Sequence, residues 1–158
     1  DLMRDVLTRT PHKKHFLLGS TPQTLENLRR HLNADQIVGP YAPPFGPGLF
    51  SEEELMRALD LVLKSGADFI WVGLGAPRQE RYVVEMMKRA PHGVWLAVGA
   101  AFDFLAGQKS RAPRWVQNIG VEWAFRWASE PRRLSGRYLK TNPAFIWLAA
   151  KEIVNKPN

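Results

Sequence analysis

A glycine pair, an amide and two carboxylates directly follow two apolar runs of this chain and could form a ligand site. In chain order these residues are Gly73, Gly75, Gln79, Glu80 and Asp103. Glycines let backbone N–H groups approach a phosphate or a ribose, and an amide can bind a base or a sugar hydroxyl. A carboxylate there can hold a ribose or an arginine. Together they predict a ligand site where these strands end and helices begin.

Each of these residues also has a structural interpretation. The Gly73-x-Gly75 pattern occurs in ordinary turns between a strand and a helix, and Glu80 could simply favour the positive end of a helix dipole. Asp103 stands between two phenylalanines and needs a partner for its charge, which Arg111 or Arg114 could provide. Arg111 is therefore a candidate either for substrate binding or for closing its own loop.

Arginines dominate the last third of the chain. Residues 1–108 carry 12 Lys or Arg and 12 Asp or Glu, whereas residues 109–158 carry 10 and 3. Arg126, Arg132, Arg133 and Arg137, along with Lys140, could converge to hold a diphosphate and to neutralise a phosphate leaving group. A guanidinium binds phosphate bidentately and stays charged. A solvated basic face is the alternative.

Other classes of chemistry have little support in the sequence. Cysteine is absent, and the four histidines are scattered without the spacing of metal ligands. We therefore predict a mechanism without a metal or a cofactor. No signal peptide is recognisable and no apolar run is long enough to span a bilayer, so any membrane contact is expected to be peripheral.

The order of predicted elements indicates an α/β fold. Strands are predicted at 15–19, 36–39, 68–73 and 94–98, and helices alternate with them from Thr21, Ser51 and Arg78. This order predicts an open, parallel, Rossmann-like sheet with helices on both faces. The proline-rich stretch 40–48 is expected to be an exposed loop that is neither strand nor helix.

Beyond Gly99 only helices are predicted. Their expected ranges are 100–106, 113–119, 122–129, 131–139 and 143–154. We accordingly divide the chain into a Rossmann-like α/β body at 1–108 and a basic, Trp-rich helical appendage at 109–158. The chain opens without an initiating Met or a clear helix cap, so we expect further residues upstream of Asp1.

Several motifs in these segments resemble the WecG/TagA/CpsF family of bacterial glycosyltransferases. The matching residues are GAPRQE at 75–80, GAAFDFLAG at 99–107, RAP at 111–113, GVEW at 120–123, Arg126, EP at 130–131 and Arg133. The resemblance covers essentially the whole chain. It implies a role in cell-surface polysaccharide or teichoic acid synthesis.

The resemblance also implies a reaction. A sugar such as N-acetylmannosamine would pass from a UDP-sugar to an undecaprenyl-diphosphate-linked acceptor, with inversion and without a metal. Gln79 and Asp103 would line the donor pocket, and Arg126 and Arg133 would belong to an appendage that covers it; Arg137 is our own extension. The catalytic base of the family would lie upstream of Asp1, in a half that this chain does not contain.

The expected partners follow from that reaction. They are the UDP-sugar, the lipid-linked acceptor and the inner face of the bacterial plasma membrane, with a homo-oligomer also possible. A non-catalytic module that binds a nucleotide or a membrane surface is the alternative. A basic, aromatic tail could in principle bind nucleic acid, but the sequence contains no recognised nucleic-acid-binding module.

Overall fold

The structure of the protein is a computed structural model. It describes residues 2–32, 34–44, 50–90, 92–108, 112–113, 116, 118–119, 122–129, 131, 135–136, 147 and 151. The chain divides into two compact units, Asp1–Ser110 and Arg111–Asn158.

Strands and helices alternate through the first unit. The strands are β1 (His15–Gly19), β2 (Ile37–Tyr41), β3 (Phe69–Gly73) and β4 (Val94–Ala97). The helices are α1 (Leu2–Arg9), α2 (Pro22–His31), α3 (Glu52–Ser65), α4 (Arg78–Arg89) and α5 (Ala101–Leu105), and a 3-10 turn spans Ala34–Gln36. In the second unit, α6 covers Glu122–Ser129.

Residues at the helix ends explain why α2 and α3 start and stop where they do. The Thr21 hydroxyl accepts a hydrogen bond from the Thr24 N–H, and Pro22 occupies the first turn of α2. The Ser51 hydroxyl caps α3 in the same way through the Glu54 N–H, and Gly66 ends that helix in the left-handed conformation. These signals were predicted from the sequence and are confirmed.

The four strands form one parallel sheet in the order β2-β1-β3-β4. His15 to Gly19 pair in register with Phe69 to Gly73, so the carboxyl ends of β1 and β3 lie side by side. The predicted open parallel α/β fold is confirmed.

Helices cover both faces of this sheet. One core cluster joins α3 and α4 to alternate residues of the central strands, including Leu18 and Val72. The other joins α1, α2 and α5 to the intervening residues, including Leu17 and Trp71. Because successive strand residues point to opposite faces, this alternation accounts for the continuous apolar runs in the sequence.

The boundary predicted between the second strand and the following loop was wrong. The strand predicted at 36–39 runs from Ile37 to Tyr41, so Pro40 belongs to β2 rather than to the following loop. Pro40 is tolerated there because β2 is an edge strand of the described sheet, where a missing N–H breaks no second ladder. Residues 45–49 of that predicted loop lie outside the described residues, as do three of the seven residues of the helix predicted at 113–119 and most residues of those predicted at 131–139 and 143–154.

A buried histidine links α1 to the sheet. The Trp71 indole Nε1 donates to His15 Nδ1 at 3.1 Å, so the proton of the neutral imidazole belongs on Nε2. His15 Nε2 lies 3.4 Å from Thr10 Oγ1, and that hydroxyl donates to the Val6 carbonyl at 2.6 Å. His15 also stacks on Phe69. Protonation of Nδ1 would break the bond from Trp71.

This arrangement predicts that the fold weakens in mild acid. Burial lowers the pKa of His15 below its ordinary value of 6.5, which outweighs the opposing effect of the Asp68 carboxylate. The unfolded chain therefore binds the proton first as the pH falls, so the free energy of unfolding declines below about pH 6.5. Urea denaturation between pH 8 and pH 5 measures this decline. We expect His15→Gln to flatten it, and an unchanged unfolding free energy in the wild type would contradict the prediction.

No helix among the described residues combines the length and the apolar character needed to cross a bilayer.

Candidate functional site

The chain reverses the direction in which it adds strands to the sheet, and the reversal lies between β1 and β3. From β1 the chain moves outward to β2, whereas from β3 it moves the opposite way to β4. Helix α2, which follows β1, and helix α4, which follows β3, therefore cover opposite faces of the sheet. Ligands of open α/β sheets bind at such a switch point.

Glycines allow close packing between the chain segments at this switch point. A Cβ added to Gly19 would lie 2.7 Å from the Gly73 carbonyl carbon, and Gly19 has a φ of +117°. The Ser20 N–H donates to the Gly73 carbonyl at 2.9 Å. A Cβ on Gly73 would meet the Phe102 ring at 2.5 Å. Gly73 is thus explained by close packing of β1, β3 and α5.

The turn after β3 is open and leads into an uncapped helix. Gly75 has a φ of +78°, and a Cβ added there would meet no atom within 4 Å. Pro77, which precedes α4, makes no side-chain cap hydrogen bond, in contrast to Thr21 at α2 and Ser51 at α3. The first N–H groups of α4 are therefore free of side-chain caps, as at many anion-binding helix starts.

Gln79 is the buried polar side chain of this turn. It is 6% exposed, and its Nε2 donates to the Glu80 carboxylate at 3.0 Å. Its Oε1 is buried without a hydrogen-bond partner among the described residues. A Cβ on Gly99, after the neighbouring strand β4, would lie 3.2 Å from that oxygen. The structure thus brings Gln79 and Glu80 together beside Gly99.

Asp103 lies in the first turn of α5, also after β4. Its side chain is partly buried, and its backbone carbonyl accepts a hydrogen bond from the Gln108 N–H at 2.9 Å. The Gln108 side chain in turn accepts a 2.8 Å bond from the Thr24 hydroxyl in α2. Hydrogen bonds therefore link the start of α2 to the segment that carries Asp103.

An open groove between α3 and α4 was missed by the sequence reasoning. It has a volume of about 820 Å³, and Phe50, Arg78 and Tyr82 contribute to its lining. The Arg78 guanidinium lies 4.8 Å from the centre of the Phe50 ring, which packs edge-on against Tyr82 at 4.5 Å. Arg78 belongs to the quoted GAPRQE motif, but its partner Phe50 is distant in the chain and could not be inferred.

A second polar pair lies beside Tyr82. The Tyr41 hydroxyl, at the end of β2, donates to Glu54 Oε1 at 2.6 Å. Burial, with this hydrogen bond, raises the pKa of Tyr41 to about 12. Burial also raises the pKa of Tyr82, whose hydroxyl has no hydrogen-bond partner among the described residues. Both phenols are therefore neutral donors at physiological pH.

The candidate arginines of the last third are only partly placed. Arg126 lies on α6, which forms over the predicted range, but its side chain is not described. Arg111, Arg133 and Arg137 lie outside the described residues. The Trp127 indole N–H donates to Ser135 Oγ at 3.0 Å, which links the end of α6 to the segment after it. In the described part of the chain, no three His, Asp or Glu side chains gather as metal ligands.

Comparison with protein families gives one assignment. The family model described as "Glycosyl transferase WecG/TagA/CpsF family" matches residues 1–158, the whole chain.

Proposed function

Because the chain belongs to the glycosyl transferase WecG/TagA/CpsF family, we propose that it transfers a sugar from a UDP-sugar to an undecaprenyl-diphosphate-linked acceptor. The transferred sugar is a hexose related to N-acetylmannosamine, and the product serves cell-surface polysaccharide or teichoic acid synthesis. The reaction takes place at the inner face of the bacterial plasma membrane.

The observation that carries this proposal is the buried, unpartnered oxygen of Gln79 at the switch point of the sheet. Burying an amide oxygen without a hydrogen bond costs free energy, so a ligand donor is expected to satisfy it. The N–H of a uracil ring or a sugar hydroxyl is such a donor. Gly99 has no side chain and so leaves room for the Gln79 amide, because a Cβ at this position would lie 3.2 Å from Gln79 Oε1.

The chemistry we propose is a single inverting displacement. The acceptor hydroxyl attacks the anomeric carbon, the bond from that carbon to the UDP oxygen breaks, and UDP leaves with the electron pair. The hydroxyl proton passes to a general base. Gln79, Asp103 and Arg111 bind the donor, and the arginines of the last third stabilise the departing diphosphate.

Gln79→Ala is expected to lower kcat/KM for the UDP-sugar by about tenfold, because it removes a buried hydrogen bond to the donor. The measurement is UDP release with a short-chain, diphosphate-linked acceptor. Gln23→Ala is the matched control: Gln23 is an exposed residue of α2 whose amide bonds Asn27. Equal kcat/KM in the two variants would remove Gln79 from the donor pocket.

The function itself is tested by product analysis, on protein that includes whatever sequence is encoded upstream of Asp1. A UDP-sugar and the lipid-linked acceptor should give UDP and an elongated acceptor, and NMR should show inversion at the transferred carbon. UDP binding without any product would instead favour a non-catalytic nucleotide-binding module. Liposome flotation with and without residues 109–158 tests the proposed membrane contact.

A further inference from the structure

Arg78 is a half-buried cation whose position is fixed by an aromatic ring. Its guanidinium stacks on Phe50, and its Nε is buried without a hydrogen-bond partner among the described residues. No described carboxylate forms an ion pair with it. Stacking leaves the edge of the guanidinium available, and that edge binds phosphate bidentately.

Arg81 also lines the groove, and four of its other charged residues are already paired or engaged. Arg89 bridges Glu52 and Glu85 at 2.8 and 2.9 Å, towards the end of α4. The Glu80 carboxylate accepts the Gln79 amide. At the start of α4, Arg78 therefore stands where the helix dipole also favours an anion.

A second polar group lines the same groove without a partner. Tyr82 is 1% exposed, and its hydroxyl makes no hydrogen bond to a described residue. The neighbouring glutamate, Glu54, already accepts from Tyr41. A buried hydroxyl without an acceptor costs free energy, and an anionic oxygen that reached it from the groove would offset that cost.

We infer that Arg78, the uncapped start of α4 and the groove beside Phe50 and Tyr82 form a subsite for a phosphate or diphosphate group of a substrate. The inference rests on the proposed function for the source of that group. Both the sugar-nucleotide donor and a diphosphate-linked acceptor carry this chemistry, and binding measurements distinguish them.

Titration calorimetry of the full chain with inorganic pyrophosphate, UDP and a short prenyl diphosphate tests the subsite. Arg78→Ala is expected to weaken pyrophosphate binding about tenfold or more. Arg78→Gln removes the charge and the stacked guanidinium but keeps a polar side chain, so it serves if the alanine variant fails to fold. The matched control is Arg29→Ala, an exposed arginine of α2 on the opposite face of the sheet.

Each outcome decides between specific alternatives. Weaker binding of pyrophosphate and UDP places the donor in the subsite, whereas weaker binding of pyrophosphate and prenyl diphosphate places the acceptor there. Unchanged affinity for all three probes overturns the inference, even if the protein transfers sugar. Conversely, a protein that binds pyrophosphate through Arg78 but transfers no sugar contradicts the proposed function and leaves the subsite intact.

Discussion

Gly19→Ala is expected to lower the free energy of unfolding by roughly 4 kcal/mol, the sum of backbone strain and overpacking. The new Cβ would lie 2.7 Å from the carbonyl carbon and oxygen of Gly73. Because these are backbone atoms in the neighbouring strand, no side-chain rotation relieves the clash. The φ of +117° at Gly19 is also a conformation that other residues rarely adopt.

Gly107→Ala separates these two causes. Gly107 also has a positive φ, +69°, but an added Cβ there would meet nothing within 4 Å. It should therefore cost only the strain of a left-handed residue, about 1 kcal/mol. Urea denaturation of both variants gives the comparison. If Gly19→Ala lost no more stability than Gly107→Ala, close contact between β1 and β3 would not be what requires glycine at position 19.

Local signals in the sequence were sufficient to place most elements of the fold. Helix α4 begins at Arg78 and ends at Arg89 as predicted, because Pro77 stands directly before it and the sequence Pro91-His92-Gly93 follows shortly after it. The strand order was not predictable in the same way. Nothing local to residues 69–73 says that β3 pairs with β1 rather than with β2, since that choice depends on how α3 packs across the sheet.

The candidate site was likewise predictable only in part from the sequence. Gln79 was found from its position after a strand, but its burial depends on Gly99 at the end of the neighbouring strand. Arg78 stands beside Gln79 in the sequence and was missed, because its partner Phe50 precedes a different helix. Residue type and position relative to a strand could thus be read from the sequence, whereas partners from other elements could not.

Arg126→Ala, and separately Arg133→Ala, are expected to lower kcat by about a hundredfold, the scale of losing one group that stabilises charge in the transition state. The reason is the chemistry of the leaving group. In the proposed reaction, negative charge grows on the UDP oxygen as the bond to the anomeric carbon breaks, and a guanidinium nearby would be worth more in the transition state than in the ground state. The effect should therefore fall on kcat rather than on KM.

The structure adds a reason to test these two arginines together. Trp127 directly follows Arg126, and Ser135 lies two positions after Arg133, so the 3.0 Å hydrogen bond from Trp127 to Ser135 links the two segments. If both arginines stabilise one diphosphate, the double variant should lose less than the product of the two single losses. Steady-state kcat and KM of the single and double variants measure this, with Arg29→Ala as the charge-matched control. Unchanged kcat in both single variants would leave leaving-group stabilisation to groups outside this pair.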